Sequence, residues 1–315
     1  MKIILYGILS LSLFSVLACN PGSSSKDRIV GLGNPPEETN SSDSIFDFQG
    51  HRGARGLLPE NSIPAFLKAV DLGVKTIELD VVVSRDEHMI VSHEPFFSHS
   101  ICKNAQGDSI AESEEKNFNL YQYTAAEIRQ FDCGSLGNPN FPQQKKLKVY
   151  KPTLKEAIKA IEAYRDSLRL RKIFYNIETK SSPEGDSIYH PKPQKFAELL
   201  YKELQELNIL DRVFIQSFDV RTLQAFKELN EEIPLVLLVY NELSLEENIQ
   251  KLGFTPSVYS PFYERLTPEE LKQAHNMGMK VIPWTVNDLK DMIRLQKMGV
   301  DGLISDYPDL FAKLR

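Results

Sequence analysis

The chain has 315 residues, with 43 acidic and 37 basic side chains, a net charge of −6 and a pI near 5.7. This length suffices for one large domain with a sizeable core, and the acidic balance without a basic cluster argues against a nucleic-acid partner. The sequence also lacks a Gly-rich phosphate loop, a serine-nucleophile elbow and any transmembrane stretch beyond the N-terminal signal, which disfavours kinases, α/β-hydrolases and transporters.

Residues 1–19 predict an export signal. Lys2 precedes an apolar run over residues 3–17, which is shorter than the roughly 20 residues that a spanning helix needs. The run ends at Ala18-Cys19 and resembles a bacterial lipobox, in which Cys19 becomes the lipidated N-terminus. An ordinary signal peptide cleaved nearby is the alternative. By the same resemblance Asn20 favours the outer membrane, so we expect an exported protein, anchored to a membrane of the cell envelope and facing the periplasm.

Residues 20–44 are rich in Ser, Pro, Gly and Asn and predict a flexible tether, which leaves one domain over residues 45–315. In this domain short apolar runs alternate with amphipathic helical patterns. The predicted strands are 46–50, 76–81, 173–178, 213–217, 235–240, 258–260, 281–285 and 302–305. Eight strands alternating with helices predict an α/β fold, a closed (β/α)₈ TIM barrel. Thr267 and Gly278 mark the ends of one helix, and Asn287 and Gly299 those of another.

The connection between Val83 and Met89 is too short for a helix, so the segment 91–93 must fold back antiparallel on the second strand. With Asp86-Glu87 as a two-residue turn, Asp80 pairs with His93 and the two side chains share a face. This register returns His93 to the level of Glu78 and Asp80. A slip by one residue would turn His93 away.

Residues 96–147 predict a small insertion after this hairpin, placed over the mouth of the barrel and containing a short helix at 124–131. Cys102 and Cys133 flank it. A disulfide between them would close a loop of about 30 residues and contribute roughly 3 kcal/mol. Two free, half-buried thiols are the alternative.

Three carboxylates predict a metal site. Glu78 and Asp80 are two apart on one strand, and Asn176, Glu178 and Lys180 share a side of another. Buried carboxylates on one face repel each other, so a bound cation is the simplest explanation, and a solvated strand end with lysine salt bridges is the alternative. Three carboxylates and water suit Ca²⁺ or Mg²⁺ rather than Zn²⁺.

Two histidines flank these carboxylates and predict acid–base catalysis. His51 ends the first strand beside Gly53, and His93 ends the hairpin. A lone histidine here would more often be a packed core residue. Arg52 can bind phosphate oxygens through two donors, and a salt bridge with Glu60 is its structural alternative. We expect the remaining histidines in surface or loop positions: His88, His99, His190 and His275.

Together these motifs resemble the glycerophosphodiester phosphodiesterase family from about residue 46 to the end. The motifs that carry the resemblance are His51-Arg52-Gly53, Pro59-Glu60-Asn61-Ser62, Glu78-Leu79-Asp80-Val81, Ser92-His93, Pro152-Thr153-Leu154, Asn176-Ile177-Glu178-Thr179-Lys180, Gln216-Ser217-Phe218, Trp284-Thr285-Val286-Asn287 and Asp301-Gly302-Leu303-Ile304-Ser305-Asp306. The chain departs from the family pattern at Ser62, Glu87 and Glu94, and none of these changes removes a catalytic group.

The resemblance implies a role for each site residue, as follows: His51 and His93 are the acid–base pair, Glu78, Asp80 and Glu178 bind one divalent cation, and Arg52, Lys180, Glu60 and Trp284 form the substrate site. The implied reaction is hydrolysis of a glycerophosphodiester, a deacylated phospholipid, to sn-glycerol 3-phosphate and an alcohol. A lysophospholipase D or phosphoinositide-type phosphodiesterase on the same barrel is the alternative, and an apolar groove lined by Phe96, Phe97, Phe262 and Tyr263 would favour it. Packing within a lid is the preferred interpretation of these aromatic residues. A non-catalytic envelope lipoprotein that binds a phosphodiester is a remote second alternative.

Overall fold

Strands and helices alternate along residues 46–314, the part of the chain that the computed structural model describes. The strands are β1 (Asp47–Gly50), β2 (Thr76–Val83), β3 (Met89–Val91), β4 (Phe174–Thr179), β5 (Val213–Ser217), β6 (Leu235–Val239), β7 (Val258–Pro261), β8 (Lys280–Val281) and β9 (Gly302–Ser305). The helices are α1 (Ile63–Asp71), α2 (Ala125–Ile128), α3 (Leu154–Ser167), α4 (Pro193–Leu207), α5 (Val220–Leu229), α6 (Leu245–Leu252), α7 (Pro268–Asn276) and α8 (Leu289–Met298). The export signal, Cys19 and the tether predicted for residues 1–44 lie outside the described residues.

The strands form a parallel barrel. Their order is β8-β7-β6-β5-β4-β2-β1-β9, and β3 pairs with β2 at the side. At the seam, Asp301 N donates to Val281 O, Ile304 N to Pro283 O and Val286 N to Ile304 O, which joins the last two strand segments. The predicted (β/α)₈ barrel is confirmed.

Helix boundaries follow the capping residues in the sequence. Thr267 accepts a hydrogen bond from the Glu270 backbone before α7, as predicted. Gly299 ends α8 in the left-handed region at φ 100°. The start of α8 differs by one residue, because Asp288 is its N-cap and Asn287 makes a different contact, with Asp306.

The hydrophobic core lies between the barrel and its helices. On β2, the alternate residues Ile77, Leu79 and Val81 belong to this core. Because side chains alternate along a strand, Glu78 and Asp80 project to the opposite side, into the barrel. The fold therefore buries both carboxylates, each 1% exposed or less.

The β2–β3 hairpin has a different register from the predicted one. Val81 pairs with Val91 and Val83 with Met89, so the expected pairing of Asp80 with His93 is wrong by one residue. The turn contains three residues and ends with Glu87 in the left-handed region at φ 61°. His93 nevertheless lines the barrel mouth, because β3 ends at Val91 and the chain then bends out of the strand's alternation.

The insertion has a small core of its own. Phe97 and Phe131 stack at 3.7 Å between ring centres, beside the disulfide that joins Cys102 and Cys133. The short helix predicted at 124–131 is α2, capped by Thr124. Between residues 46 and 314, no helix is both long and apolar enough to span a bilayer.

Candidate active site

Three carboxylates meet because neighbouring strands are in register. Asp80 on β2 lies opposite Glu178 on β4, which lies opposite Gln216 on β5. One oxygen from each of Glu78, Asp80 and Glu178 lies within 4.8 Å of the others. The structure thus brings the three predicted metal ligands together, with Gln216 Nε2 donating to Glu78 Oε1 at 2.6 Å.

The charges in this cluster are compensated unequally, well at Asp80 and poorly at Glu78 and Glu178. Burial raises the pKa of Glu78 well above its ordinary value, and the charges of Asp80 and Glu178 raise it further. Burial also raises the pKa of Glu178, to about 7, against the opposing effect of Lys180. Burial alone would raise the pKa of Asp80, but Arg52, His93 and Lys180 hold it far below its usual range. Asp80 Oδ1 has no hydrogen-bond partner among residues 46–314. This donor set fits a hard divalent cation.

His51 is held by a buried aspartate. Its Nδ1 lies 2.7 Å from Asp306 Oδ1, and its Nε2 lies 3.9 Å from Glu78 Oε2. An ionised carboxylate only accepts, so Nδ1 carries the proton and Nε2 presents a lone pair to the cavity. Burial lowers the pKa of His51 to about 4, although Asp306 opposes this shift. His51 is therefore neutral at pH 7, the form that accepts a proton.

His93 has an analogous but more exposed partner. Its Nδ1 lies 2.7 Å from Glu94 Oε1, which again leaves Nε2 as the free ring nitrogen. Burial lowers the pKa of His93, and the charges of Arg52 and Lys180 lower it further. Both histidines thus pair with a carboxylate through Nδ1.

Two cations border the carboxylates. Arg52 follows β1 in a left-handed turn at φ 49°, where its backbone N–H donates to Glu78 Oε2 at 2.8 Å. Its guanidinium donates to Glu60 Oε1 at 2.8 Å and lies 3.3 Å from Asp80 Oδ2. Lys180 Nζ lies 2.5 Å from Glu178 Oε1 and 3.7 Å from Asp80 Oδ1. Arg52 forms the salt bridge with Glu60 that the sequence analysis gave as the alternative to phosphate binding. This salt bridge holds Arg52 beside the carboxylate cluster.

A cavity at the barrel mouth is lined by both histidines, Arg52 and two of the three carboxylates. Its lining residues are His51, Arg52, Arg55, Glu78, His93, Glu178, Gln216, Phe218, Leu238, Trp284, Thr285 and Ile304. Trp284 forms an aromatic wall with Phe218, with ring centres 5.3 Å apart. A second cavity shares His93, Glu178 and Phe218 with the first and extends past Lys180. Two connected cavities around one polar centre suit a substrate with two arms.

The chain matches the model of the glycerophosphoryl diester phosphodiesterase family over residues 51–310. The chain belongs to this family. A glycerophosphodiester phosphodiesterase from Caldanaerobacter subterraneus is 30% identical over 264 residues, covering 84% of this chain and 95% of the relative. A Bacillus subtilis enzyme of the same name is 28% identical and covers 100% of this chain and 98% of its own length.

A solved structure from Silicibacter pomeroyi, provisionally assigned as a glycerophosphoryl diester phosphodiesterase, superposes with a TM-score of 0.76. It is 27% identical and covers 86% of this chain and 93% of its own. Together with the family match, this likeness confirms the resemblance read from the sequence motifs.

Several residues of the site were missed or misplaced in the sequence analysis. Asp306 and Gln216 stood in the family motifs, but nothing in their spacing linked them to His51 and Glu78. Asn61 Nδ2 donates to Asp80 Oδ2 at 2.7 Å. Asn61 lies in a loop, where no sequence periodicity predicts the direction of a side chain. His190 lies in the loop between β4 and α4, as expected, but its side chain is buried and accepts a hydrogen bond from the Ser182 backbone at 3.1 Å.

The aromatic groove expected for a lipid substrate is only partly present. Phe97 is fully buried in the insertion core and cannot line a groove. At the opposite side of the mouth, Phe218 and Tyr240 are exposed beside Trp284 and Phe262.

Proposed function

We propose that Glu78, Asp80 and Glu178 hold one divalent cation, Ca²⁺ or Mg²⁺, in an enzyme that hydrolyses glycerophosphodiesters to sn-glycerol 3-phosphate and an alcohol. The observation that carries the proposal is a cluster of three buried carboxylates, two of which line the same cavity as two carboxylate-paired histidines. Membership of the phosphodiesterase family sets the reaction class. The all-oxygen ligand set favours a hard cation over Zn²⁺.

The cation, when bound, supplies positive charge to the phosphoryl oxygens and lowers the repulsion among the carboxylates. Arg52 and Lys180 both lie against Asp80, so their cationic groups can reach a phosphate that is bound at the cluster. Arg52 supplies directed N–H donors and Lys180 a compact charge. These groups favour the transition state because charge grows on the phosphoryl oxygens there.

His51 and His93 transfer the protons. One imidazole removes a proton from the nucleophile through Nε2, and the other protonates the departing alkoxide. Asp306 and Glu94 hold the two rings through Nδ1, so Nε2 exchanges the proton in both. The base is the neutral ring and accepts at Nε2, and the acid is the protonated ring and donates from Nε2.

The nucleophile is either water or the neighbouring hydroxyl of the glycerol, which would form a cyclic phosphate first. Quenching the reaction within the first turnover and analysing the phosphorus-containing products separates the two routes. A trapped cyclic phosphate supports attack by the hydroxyl, and its absence from a burst-phase sample supports direct attack by water.

We also propose that the protein is exported and held in the cell envelope by lipidation of Cys19. The apolar run before Cys19 supports this, and so does the Cys102–Cys133 disulfide, because disulfides persist in oxidising compartments. Radiolabelled palmitate should be incorporated by the full chain and not by a Cys19→Ala variant. Equal labelling of both proteins would contradict the anchor.

The direct test of the reaction is release of sn-glycerol 3-phosphate from glycerophosphocholine, glycerophosphoethanolamine and glycerophosphoglycerol. A soluble chain beginning near residue 42 should release it with Ca²⁺ or Mg²⁺ and not with EDTA. The exposed rings of Phe218 and Tyr240 favour a lysophospholipase D as second candidate. Cleavage of lysophospholipids without cleavage of any glycerophosphodiester would replace the first proposal by the second.

A further inference from the structure

A buried lysine lies behind the catalytic cavity. Lys151 stands just before α3, its side chain is 9% exposed, and its Nζ donates to Ser92 Oγ at 2.8 Å. Among residues 46–314 no carboxylate comes within salt-bridge distance of this ammonium group, although it has three N–H donors. Lys151 does not line either cavity at the barrel mouth.

Lys151 is connected through Ser92 to the turn that carries His93. Ser92 is fully buried, and its Oγ donates to the backbone carbonyl of Glu94 at 2.6 Å. The Glu94 carboxylate in turn accepts from His93 Nδ1 at 2.7 Å. Beyond the end of β3 at Val91, the Ser92 backbone N–H still donates to Asp80 O on β2 at 3.0 Å, and the hydroxyl of Ser92 joins the two ends of the bend over residues 92–94.

Stability does not explain a cation at this position. Burial lowers the pKa of Lys151, and the charges of Glu60, Glu94 and Asp80 oppose this shift only in part, so the buried ammonium group costs free energy. An apolar side chain of similar volume is often neutral or stabilising in such a place. The geometry of the contact offers a different reason. The ammonium group of Lys151 can only donate, so it occupies a lone pair of Ser92 Oγ and directs the hydroxyl hydrogen to the backbone carbonyl of Glu94.

We propose that Lys151 is a positioning residue, which holds the Ser92–Glu94 turn so that the His93 imidazole stays directed at the bound phosphodiester. This inference rests on the proposed function, since it assigns Lys151 to the proton-transfer step of His93. Lys151 acts only through Ser92 and Glu94 and does not touch the substrate.

The test compares Lys151→Met, which keeps the length of the side chain, with Lys148→Met as a control on an exposed lysine three residues earlier. Lys151→Met should lower kcat about 10- to 100-fold, the usual effect of removing a supporting contact, and change KM less than threefold. Its Tm should equal or exceed that of the wild type. Lys148→Met should keep kcat within twofold. A lower Tm with an unchanged kcat would show a structural role only and overturn the proposal.

Ser92→Ala provides a second and smaller perturbation. It removes the oxygen through which Lys151 acts, so it should lower kcat to a similar extent. The double variant should be no slower than the slower single variant, because residues that act through one contact are not additive. Multiplied effects in the double variant would separate the two residues and contradict the proposal.

A crystal structure of Lys151→Met gives a readout that does not depend on turnover. We expect the His93 imidazole to be displaced by about 1 Å or more, or to occupy several conformers, a shift of the size that affects catalysis. A His93 ring in the wild-type position would overturn the positioning role. If the wild-type protein releases no sn-glycerol 3-phosphate, the proposed reaction fails, and this structure still decides whether Lys151 holds the turn.

Discussion

Asp306→Asn changes the partner of His51 while preserving the size of the side chain. The buried carboxylate accepts from His51 Nδ1 at 2.7 Å, from Arg55 Nε at 2.6 Å and Nη2 at 3.0 Å, and from Asn287 Nδ2 at 2.7 Å. These donors occupy both oxygens, whereas an asparagine amide has only one. In the variant, some donors therefore face an NH₂ group, and His51 loses the negative charge that stabilises its protonated form.

The expected loss in kcat is about 10²- to 10⁴-fold, the range for removing an acid–base group or its orienting carboxylate. Breaking the buried pair with Arg55 should also lower the free energy of unfolding by about 3 kcal/mol. This loss of stability is at the lower end of the range for buried ion pairs, because Arg55 retains a second ion pair with Glu60 at 4.0 Å.

The assay couples release of sn-glycerol 3-phosphate to its dehydrogenase, and urea titration measures the stability. Asp301→Asn is the matched control, because Asp301 Oδ2 accepts from the exposed His275 Nε2 at 2.8 Å at another place on the barrel. It should keep kcat within twofold. A folded Asp306→Asn variant that retained more than a third of the wild-type kcat would refute the role of His51.

Four further outcomes are expected. Because the pKa of Glu178 is about 7 in the folded protein, above its ordinary 4.5, the metal-free protein should lose stability as the pH rises between these values. Cation binding requires the ionised form of Glu178, so the cation affinity measured by calorimetry should fall as the pH is lowered below 7, by up to about tenfold per pH unit. Equal affinities at pH 6 and pH 8 would contradict the role of Glu178 as a ligand. Glu178→Gln should abolish most of the Tm gain on adding Ca²⁺ or Mg²⁺, whereas Glu184→Gln, at an exposed loop position, should keep it. Replacing Cys102 and Cys133 by Ala should lower the free energy of unfolding by about 3–4 kcal/mol for a loop of this length, and a loss under 1 kcal/mol in urea titration would be inconsistent with that.

The carboxylate cluster could be predicted because two regularities determine it. Strand alternation places Glu78 and Asp80 on one face, and parallel registration sets Glu178 beside Asp80. Alternation acts within one strand and can be read from the sequence, and the approach of Glu178 to Asp80 follows from the predicted barrel, in which the carboxyl ends of neighbouring parallel strands meet at one face.

Contacts between distant loops could not be predicted in the same way. The hairpin register depended on whether Glu87 adopts a left-handed conformation, which few residues other than Gly and Asn favour. Asn287 and Asp288 are both good helix caps, and the choice between them follows from the contact of Asn287 with Asp306. His190 lies in a segment between β4 and α4 without periodicity, so its burial left no signal in the pattern.

The most direct measurement combines metal content with turnover on one sample. The purified soluble domain is stripped with EDTA, titrated with Ca²⁺ or Mg²⁺, and assayed at each step for bound metal and for sn-glycerol 3-phosphate released from glycerophosphocholine. We predict that activity rises in proportion to bound metal and saturates at about one ion per chain. Full activity in the stripped protein, or one bound ion without turnover of any glycerophosphodiester, would contradict the proposed metal-dependent phosphodiesterase.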